Sequence, residues 1–413
     1  MAEASGERTA LAKARARRTI VACFLSQNLA MGLAFGSFGP LLAANQAHLE
    51  VSRAAAAFGM SLVTLTLGLL SPIAGRLLEH FRMRDAMVLG VILSAAAYLL
   101  LAVTNSYPVA MLCYILMGAG VCLSALIGPL TLVTRWVDVG RGKVLSLVNL
   151  PVVLFASPFL IAIGLPVIGR TGMFIVLGGL FLLLAPVLAL LIHERPDSDP
   201  AASGAGGSSG APSPQVALAR SPSFWLLSIG IGIMAGCGIV YVVHLVPYGV
   251  GKGMTLAAAS GMLSIYAGAG LVGTPLFGWI IDRIGPPAAL LLAALGLAGL
   301  SMAVLEVDGV ALFAIAALLG VCCTPITTLH GAALGALFGE QAVARAMGYS
   351  YFVKLPFIFG AAPAIGAVFD ATGSYHVPFA LCAGAMLVSA ACYAGLWLLS
   401  RGAARRGQVA VSM

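Results

Sequence analysis

Along its length the chain alternates between long apolar runs and short polar breaks. Charges and turn residues mark off twelve runs, at roughly 19–44, 54–79, 86–104, 108–135, 143–167, 171–193, 222–248, 254–281, 287–305, 310–338, 346–369 and 376–400. At 1.5 Å per residue, each can cover a hydrocarbon core of about 30 Å. One interval differs from the other breaks. Pro196 to Pro214 is rich in Gly, Ser, Ala and Pro and carries Asp197 and Asp199, the composition of a flexible linker. Six runs precede it and six follow. The pattern predicts an all-α polytopic membrane protein with twelve transmembrane helices in two pseudo-symmetric six-helix bundles. The bundles are expected at 19–193 and 222–400, the cytoplasmic linker at 194–221, and cytoplasmic tails at 1–18 and 401–413.

Composition agrees. Hydrophobic residues make up 61% of the 413 positions and charged residues 9%, with a mean hydropathy of +1.04. Soluble domains carry about 25% charged residues, so lipid must solvate much of this surface. The first run is too long for the apolar region of a cleavable signal, which is about 7–15 residues. The net charge of +8 is the mark of basic cytoplasmic loops rather than of nucleic-acid binding. The eight cysteines all lie inside apolar runs with no C-x-x-C pair. They read as small packing residues, with no metal site and no disulfide framework. The many glycines, such as Gly118, Gly120, Gly232 and Gly236, read as close-approach points between helices.

The basic residues set the orientation. With the N-terminus inside, cytoplasmic segments hold 18 of the 22 Lys and Arg residues, and outside segments hold only Arg53, Arg170 and Lys252. Both termini are therefore expected inside. The halves also resemble each other. Ser71-Pro72-x-x-Gly75-x-x-x-Glu79-His80 matches Thr274-Pro275-x-x-Gly278-x-x-x-Asp282-Arg283, and Arg141 is echoed by Arg345. A parallel 6+6 repeat is the signature of one large class of secondary transporters.

These motifs are similar to those of the major facilitator superfamily. Gly75-Arg76-Leu77-Leu78-Glu79-His80-Phe81-Arg82-Met83-Arg84 resembles its loop 2–3 signature, and Gly278-Trp279-Ile280-Ile281-Asp282-Arg283 its second-half copy. The first copy departs from the family, which has aspartate at Glu79 and glycine at Arg82. The resemblance implies a conformational latch formed by Gly75, Glu79, Arg82, Arg84, Gly278, Asp282, Arg283, Arg135 and Arg141. Within the superfamily, Thr134-Arg135-Trp136, His244-Leu245-Val246-Pro247-Tyr248 and Asp370-Ala371-Thr372-Gly373-Ser374-Tyr375 resemble the monocarboxylate transporter and oxalate:formate antiporter group.

Lys354 is the most informative residue for chemistry. It is the only Lys or Arg well inside a run, and all 14 Asp and Glu residues fall in tails, loops or run ends. An unpaired ammonium at a helix centre costs about 2.5 kcal/mol or more. Snorkelling to the nearer face would have to cover about 13 Å, too far for one side chain. An anionic substrate is the simplest partner. The resemblance agrees, because the oxalate:formate antiporter has a substrate-binding lysine in its eleventh helix. That group also places an arginine in helix eight where Thr274 stands here, so a monoanion is favoured over a dicarboxylate.

Other candidates to line a binding site are Tyr351, beside the lysine, and the run-seven face of Tyr241, His244 and Tyr248. That face either hydrogen-bonds a carboxylate and shuttles a proton, or is an interfacial aromatic belt with a satisfied histidine. His330 either lines the cavity or bonds a backbone carbonyl. Asn28, Asn149 and Tyr266 complete the set. Nothing resembles a nucleotide-binding loop, a metal cluster or a hydrolase nucleophile, so neither an enzyme nor ATP-driven transport is expected, and no cofactor.

The expected function is secondary transport of a lactate-like monocarboxylate across the bacterial inner membrane by alternating access, with proton symport and a monomeric functional unit. Organic-anion exchange is one alternative. A drug exporter of the same fold is another, though its cavity would usually carry a membrane-embedded carboxylate. A membrane receptor would carry a sizeable soluble domain.

Overall fold

The computed structural model describes the backbone of residues 2–77, 82–137, 144, 147–194, 220–338 and 343–411, and side chains over most of these from residue 11 onward. Among the described residues every regular element is helical. Eleven helical stretches among the described residues are long and apolar enough to cross a membrane. They are α1 (Leu11–Gly36), α2 (Arg53–Ser71), α3 (Met83–Val103), α4 (Tyr107–Val133), Val152–Leu191, α7 (Pro222–Gly251), α8 (Leu256–Ile284), α9 (Pro286–Glu306), α10 (Val310–Phe338), α11 (Tyr349–Thr372) and α12 (His376–Arg401).

Val152–Leu191 is two spans in one. Its 40 residues would run about 60 Å, twice the hydrocarbon core. Helical geometry breaks at Gly169, with φ 67° and ψ 178°, a conformation only glycine adopts readily. The chain turns there, giving α5 (152–168) and α6 (170–191) and so twelve spans. The helix of α5 starts at Val152, later than the apolar pattern suggests. Pro151 disfavours helical geometry at the residue before it, and the Val152 amide bonds the Leu150 carbonyl instead.

The helices pack into two compact units, 1–51 with 62–207 and 52–61 with 208–413. The first ten residues of the α2 region thus pack with the second unit. In the first unit, Asn28 of α1 donates to the Phe24 and Val148 carbonyls at 3.2 and 3.3 Å and accepts from the Val152 amide at 3.0 Å. Ser26 donates to the Ser124 carbonyl of α4 at 2.7 Å. In the second unit, Gly236 of α7 lies where a Cβ would meet the Phe357 carbonyl oxygen at 2.8 Å, so α7 and α11 touch backbone to backbone.

The third helix of each half ends alike. Leu101 and Val304 correspond at the repeat offset. The Leu101 carbonyl accepts from Arg170 Nη2 at 3.0 Å, and the Val304 carbonyl from the Tyr248 hydroxyl at 2.6 Å. Lys252 adds a bond to the Leu305 carbonyl at 3.3 Å and an ion pair with Asp308 at 2.9 Å. The Asp308 carboxylate beside it holds the Lys252 ammonium above the usual lysine range. Terminal carbonyls that a helix cannot satisfy internally are met by a cation in both repeats, and by a phenol as well in the second.

Candidate functional site

Lys354 sits on the helix that contains α11, in which Pro356 removes the backbone bond to the Phe352 carbonyl. Its side chain is buried, 5% exposed. The ammonium lies 3.6 Å from the centroid of the Tyr351 ring, one helical turn away. Among the described residues that ring is its only partner: no carboxylate or hydrogen-bond acceptor reaches it. A cation–π contact of this kind holds a cation in place without neutralising it. Ser350, one turn from Lys354 on the other side, meets His330 of α10, Ser350 Oγ to His330 Nε2 at 2.9 Å. Both are buried. The structure thus brings Tyr351, Lys354, Ser350 and His330 together.

The α7 residues divide between two neighbours. Tyr241 bonds Ser301 of α9, whose hydroxyl passes the contact to the Leu297 carbonyl at 2.6 Å. Tyr248 also reaches α9, at Val304. His244 turns instead to α11, with Nε2 2.9 Å from the Ala362 carbonyl and Nδ1 3.1 Å from the Tyr375 hydroxyl. A carbonyl only accepts, so Nε2 carries the proton and Nδ1 accepts from Tyr375. Tyr375 in turn accepts from Arg53 Nη1 at 3.1 Å. Burial pushes the Tyr375 phenol up to about 12, so it stays a neutral donor. Ala362 is eight residues beyond Lys354, about 12 Å along the helix, so His244 and Lys354 meet α11 at different depths.

Tyr266 packs its buried ring 6.0 Å from Tyr241. Thr274 is exposed on α8, and Asn149 is exposed in the turn before Pro151. Asn28 spends its amide on the backbone bonds already described.

The latch residues fall into separate clusters. In the first half, Glu194 accepts from the Arg84 amide at 3.0 Å and pairs with Arg135 at 3.5 Å. Arg84 Nε pairs with Asp85 at 3.0 Å. Arg82 is exposed in front of α3, and Gly75 is helical. In the second half, Arg283 stacks 3.9 Å from the Trp279 ring, Asp282 is exposed and Gly278 is half-buried. Glu79 and Arg141 lie outside the described residues. Sequence reasoning missed Glu194, Ser350 and Ser301. Ser350 stands at i−4 from Lys354, a spacing that could have singled it out.

Comparison with known proteins adds to this geometry. Over 176 residues, 40% of this chain, the sequence is 28% identical to monocarboxylate transporter 12 of Homo sapiens, covering 33% of that protein. For the Rattus norvegicus protein the identity is 30%, covering 35%. The matched region thus spans about a third of the length of these relatives. The fold is similar to that of a bacterial homologue of the human lysosomal transporter Spinster, with TM-score 0.70, 12% identity, and 94% and 97% of the two chains covered. It is also similar to a variant of the nucleoside transporter NupG, with TM-score 0.73, 11% identity, and 92% and 99% covered. The model of the Major Facilitator Superfamily matches residues 24–310 and 253–411. Twelve spans in a duplicated arrangement and a family match along nearly the whole chain make this protein a member of the Major Facilitator Superfamily.

Proposed function

We propose that this member of the superfamily carries a small organic monoanion, of the lactate type, across the bacterial inner membrane by alternating access. The observation that carries the reading is the Lys354 ammonium, buried and resting on an aromatic ring with no carboxylate partner among the described residues. A charge kept in that state at a cost of about 2.5 kcal/mol or more needs a counter-charge that comes and goes. One cation suits one carboxylate. The partial similarity to monocarboxylate transporter 12 points the same way.

Proton symport is the coupling we infer. His330 of α10 bonds Ser350, which stands one helical turn before Lys354 on α11. An anion arriving beside Lys354 favours proton uptake at the nearby imidazole of His330, and anion and proton cross together as a neutral load. Net charge then never moves alone through low dielectric. Both termini and the 194–221 linker would face the cytoplasm, as the Lys and Arg distribution implies.

A thermal-shift panel of mono-, di- and aromatic carboxylates on the purified protein tests the substrate class. A bound ligand at a hundred times its Kd stabilises the folded state by about 2.7 kcal/mol. Short monocarboxylates should raise the melting temperature most. Stabilisation by nucleosides or cationic amphiphiles, with none by carboxylates, would contradict the reading.

A further inference from the structure

A groove of about 350 Å³ lies in the first unit between α1 and the end of α6, lined by Ala14, Arg17, Arg18, Val21 and Leu191. The four α1 residues follow i, i+3, i+4, i+7 spacing, a single stripe on one helix face. The groove is cationic at one end and apolar at the other. Arg17 and Arg18 are exposed, and among the described residues no carboxylate pairs with either. The acid closest in sequence to Leu191 is Glu194, and its two oxygens are taken by the Arg84 amide and Arg135. At the apolar end Val21 is 44% exposed and Leu191 is half-buried. The walls are pinned: buried Thr19 accepts from the His193 amide at 3.1 Å, tying α1 to the residues just after α6.

We propose that this groove binds an anionic phospholipid, with its phosphate between Arg17 and Arg18 and an acyl chain along Val21 and Leu191. Two guanidiniums offer charge-assisted, directed donors to phosphate oxygens. They stand where the polar tail gives way to the apolar span, the level of lipid head groups. The apolar floor distinguishes the occupant from free phosphate, which would leave Val21 and Leu191 unused. Lys13 and Arg15, on the same helix, add to the field that draws a net negative head group over a zwitterionic one. This inference is independent of the transported substrate.

Native mass spectrometry of the full chain in detergent, titrated with phosphatidylglycerol and with chain-matched phosphatidylcholine, tests it. We expect the first phosphatidylglycerol to bind the unaltered protein in preference to phosphatidylcholine. Arg17→Gln with Arg18→Gln should weaken it by about 30-fold, the factor for two basic groups near an anionic surface. Arg401→Gln, a basic residue at another helix end, should leave it unchanged, and inorganic phosphate at matched concentration should not displace the lipid. Val21→Asp should also weaken binding while both arginines remain. Equal retention of both lipids, an undiminished double variant, an equal loss in Arg401→Gln, or displacement by inorganic phosphate would each overturn the proposal. Size-exclusion elution confirms that the variants compared are folded.

Discussion

The carboxylate of Asp370 accepts from the backbone amides of Arg53 at 3.2 Å and Ala54 at 2.9 Å, so the end of α11 caps the first turn of α2. The Arg53 guanidinium lies 4.1 Å from the Phe369 ring and donates to Tyr375, which connects it to His244. The docking of 52–61 in the second unit thus includes one carboxylate and one guanidinium, together with the Phe58–Phe359 ring contact at 5.4 Å. Orphan amides at a helix start are met by an acid that also complements the helix dipole.

Asp370→Ala should therefore lower the melting temperature, by an amount equivalent to about 0.5–2 kcal/mol for a lost cap. Asp370→Asn, which keeps one acceptor oxygen, should lose less. Arg53→Gln combined with Tyr375→Phe should be less damaging than the sum of the two, because they share one network. Additive losses would show that the contacts act separately. Thermal unfolding of these variants gives the answer.

Tyr351 should act as a positioning residue for Lys354. Tyr351→Phe keeps the ring and should transport within about twofold of the unaltered protein. Tyr351→Leu removes a contact of about 0.5–2 kcal/mol, and the apparent KM for the anion should rise several-fold with folding intact. Initial-rate transport across a concentration series separates KM from the maximal rate. An unchanged KM in Tyr351→Leu would mean that the ring only packs.

The two buried histidines should behave differently. An inward proton gradient should drive labelled anion into empty proteoliposomes, with external alkalinisation. His330→Gln should reduce that gradient-driven uptake, because His330 reaches the Lys354 turn through Ser350. His244→Gln should chiefly lower thermal stability, since both its ring nitrogens are engaged by Ala362 and Tyr375. If uptake requires an internal counter-anion and ignores the pH gradient, exchange replaces symport.

Topology is checked by cysteine labelling in a cysteine-free background. A cysteine placed in the 194–221 linker should resist impermeant reagent added to intact cells and react once the membrane is opened. Reaction in intact cells would reverse the assigned orientation.

Much of the fold was legible in the sequence because membrane spans write themselves as uninterrupted apolar length. The turn at Gly169 was visible as the break before Arg170. The isolation of Lys354 was visible because charges inside spans are so rare. What was not legible depends on helix rotation and on contacts distant in sequence. The face of Tyr241, His244 and Tyr248 is one stripe on a helical wheel, yet α9 takes the tyrosines and α11 the histidine. Asp370 and Arg53 are more than 300 residues apart, and nothing local marks them as partners. Arg170 and Lys252 read as stray outside cations until the Leu101 and Leu305 carbonyls they satisfy are seen.

The central claim is that Lys354 supplies the charge that binds the transported anion. Uptake of radiolabelled lactate by proteoliposomes containing Lys354→Gln, against the unaltered protein at equal reconstitution, tests it most directly. The account predicts that Lys354→Gln folds with undiminished thermal stability, since an unpaired buried charge is gone, and takes up no lactate above protein-free vesicles. Lys354→Arg should be poor, because the guanidinium is larger and more weakly hydrated. Lactate uptake by Lys354→Gln at the rate of the unaltered protein would contradict the claim.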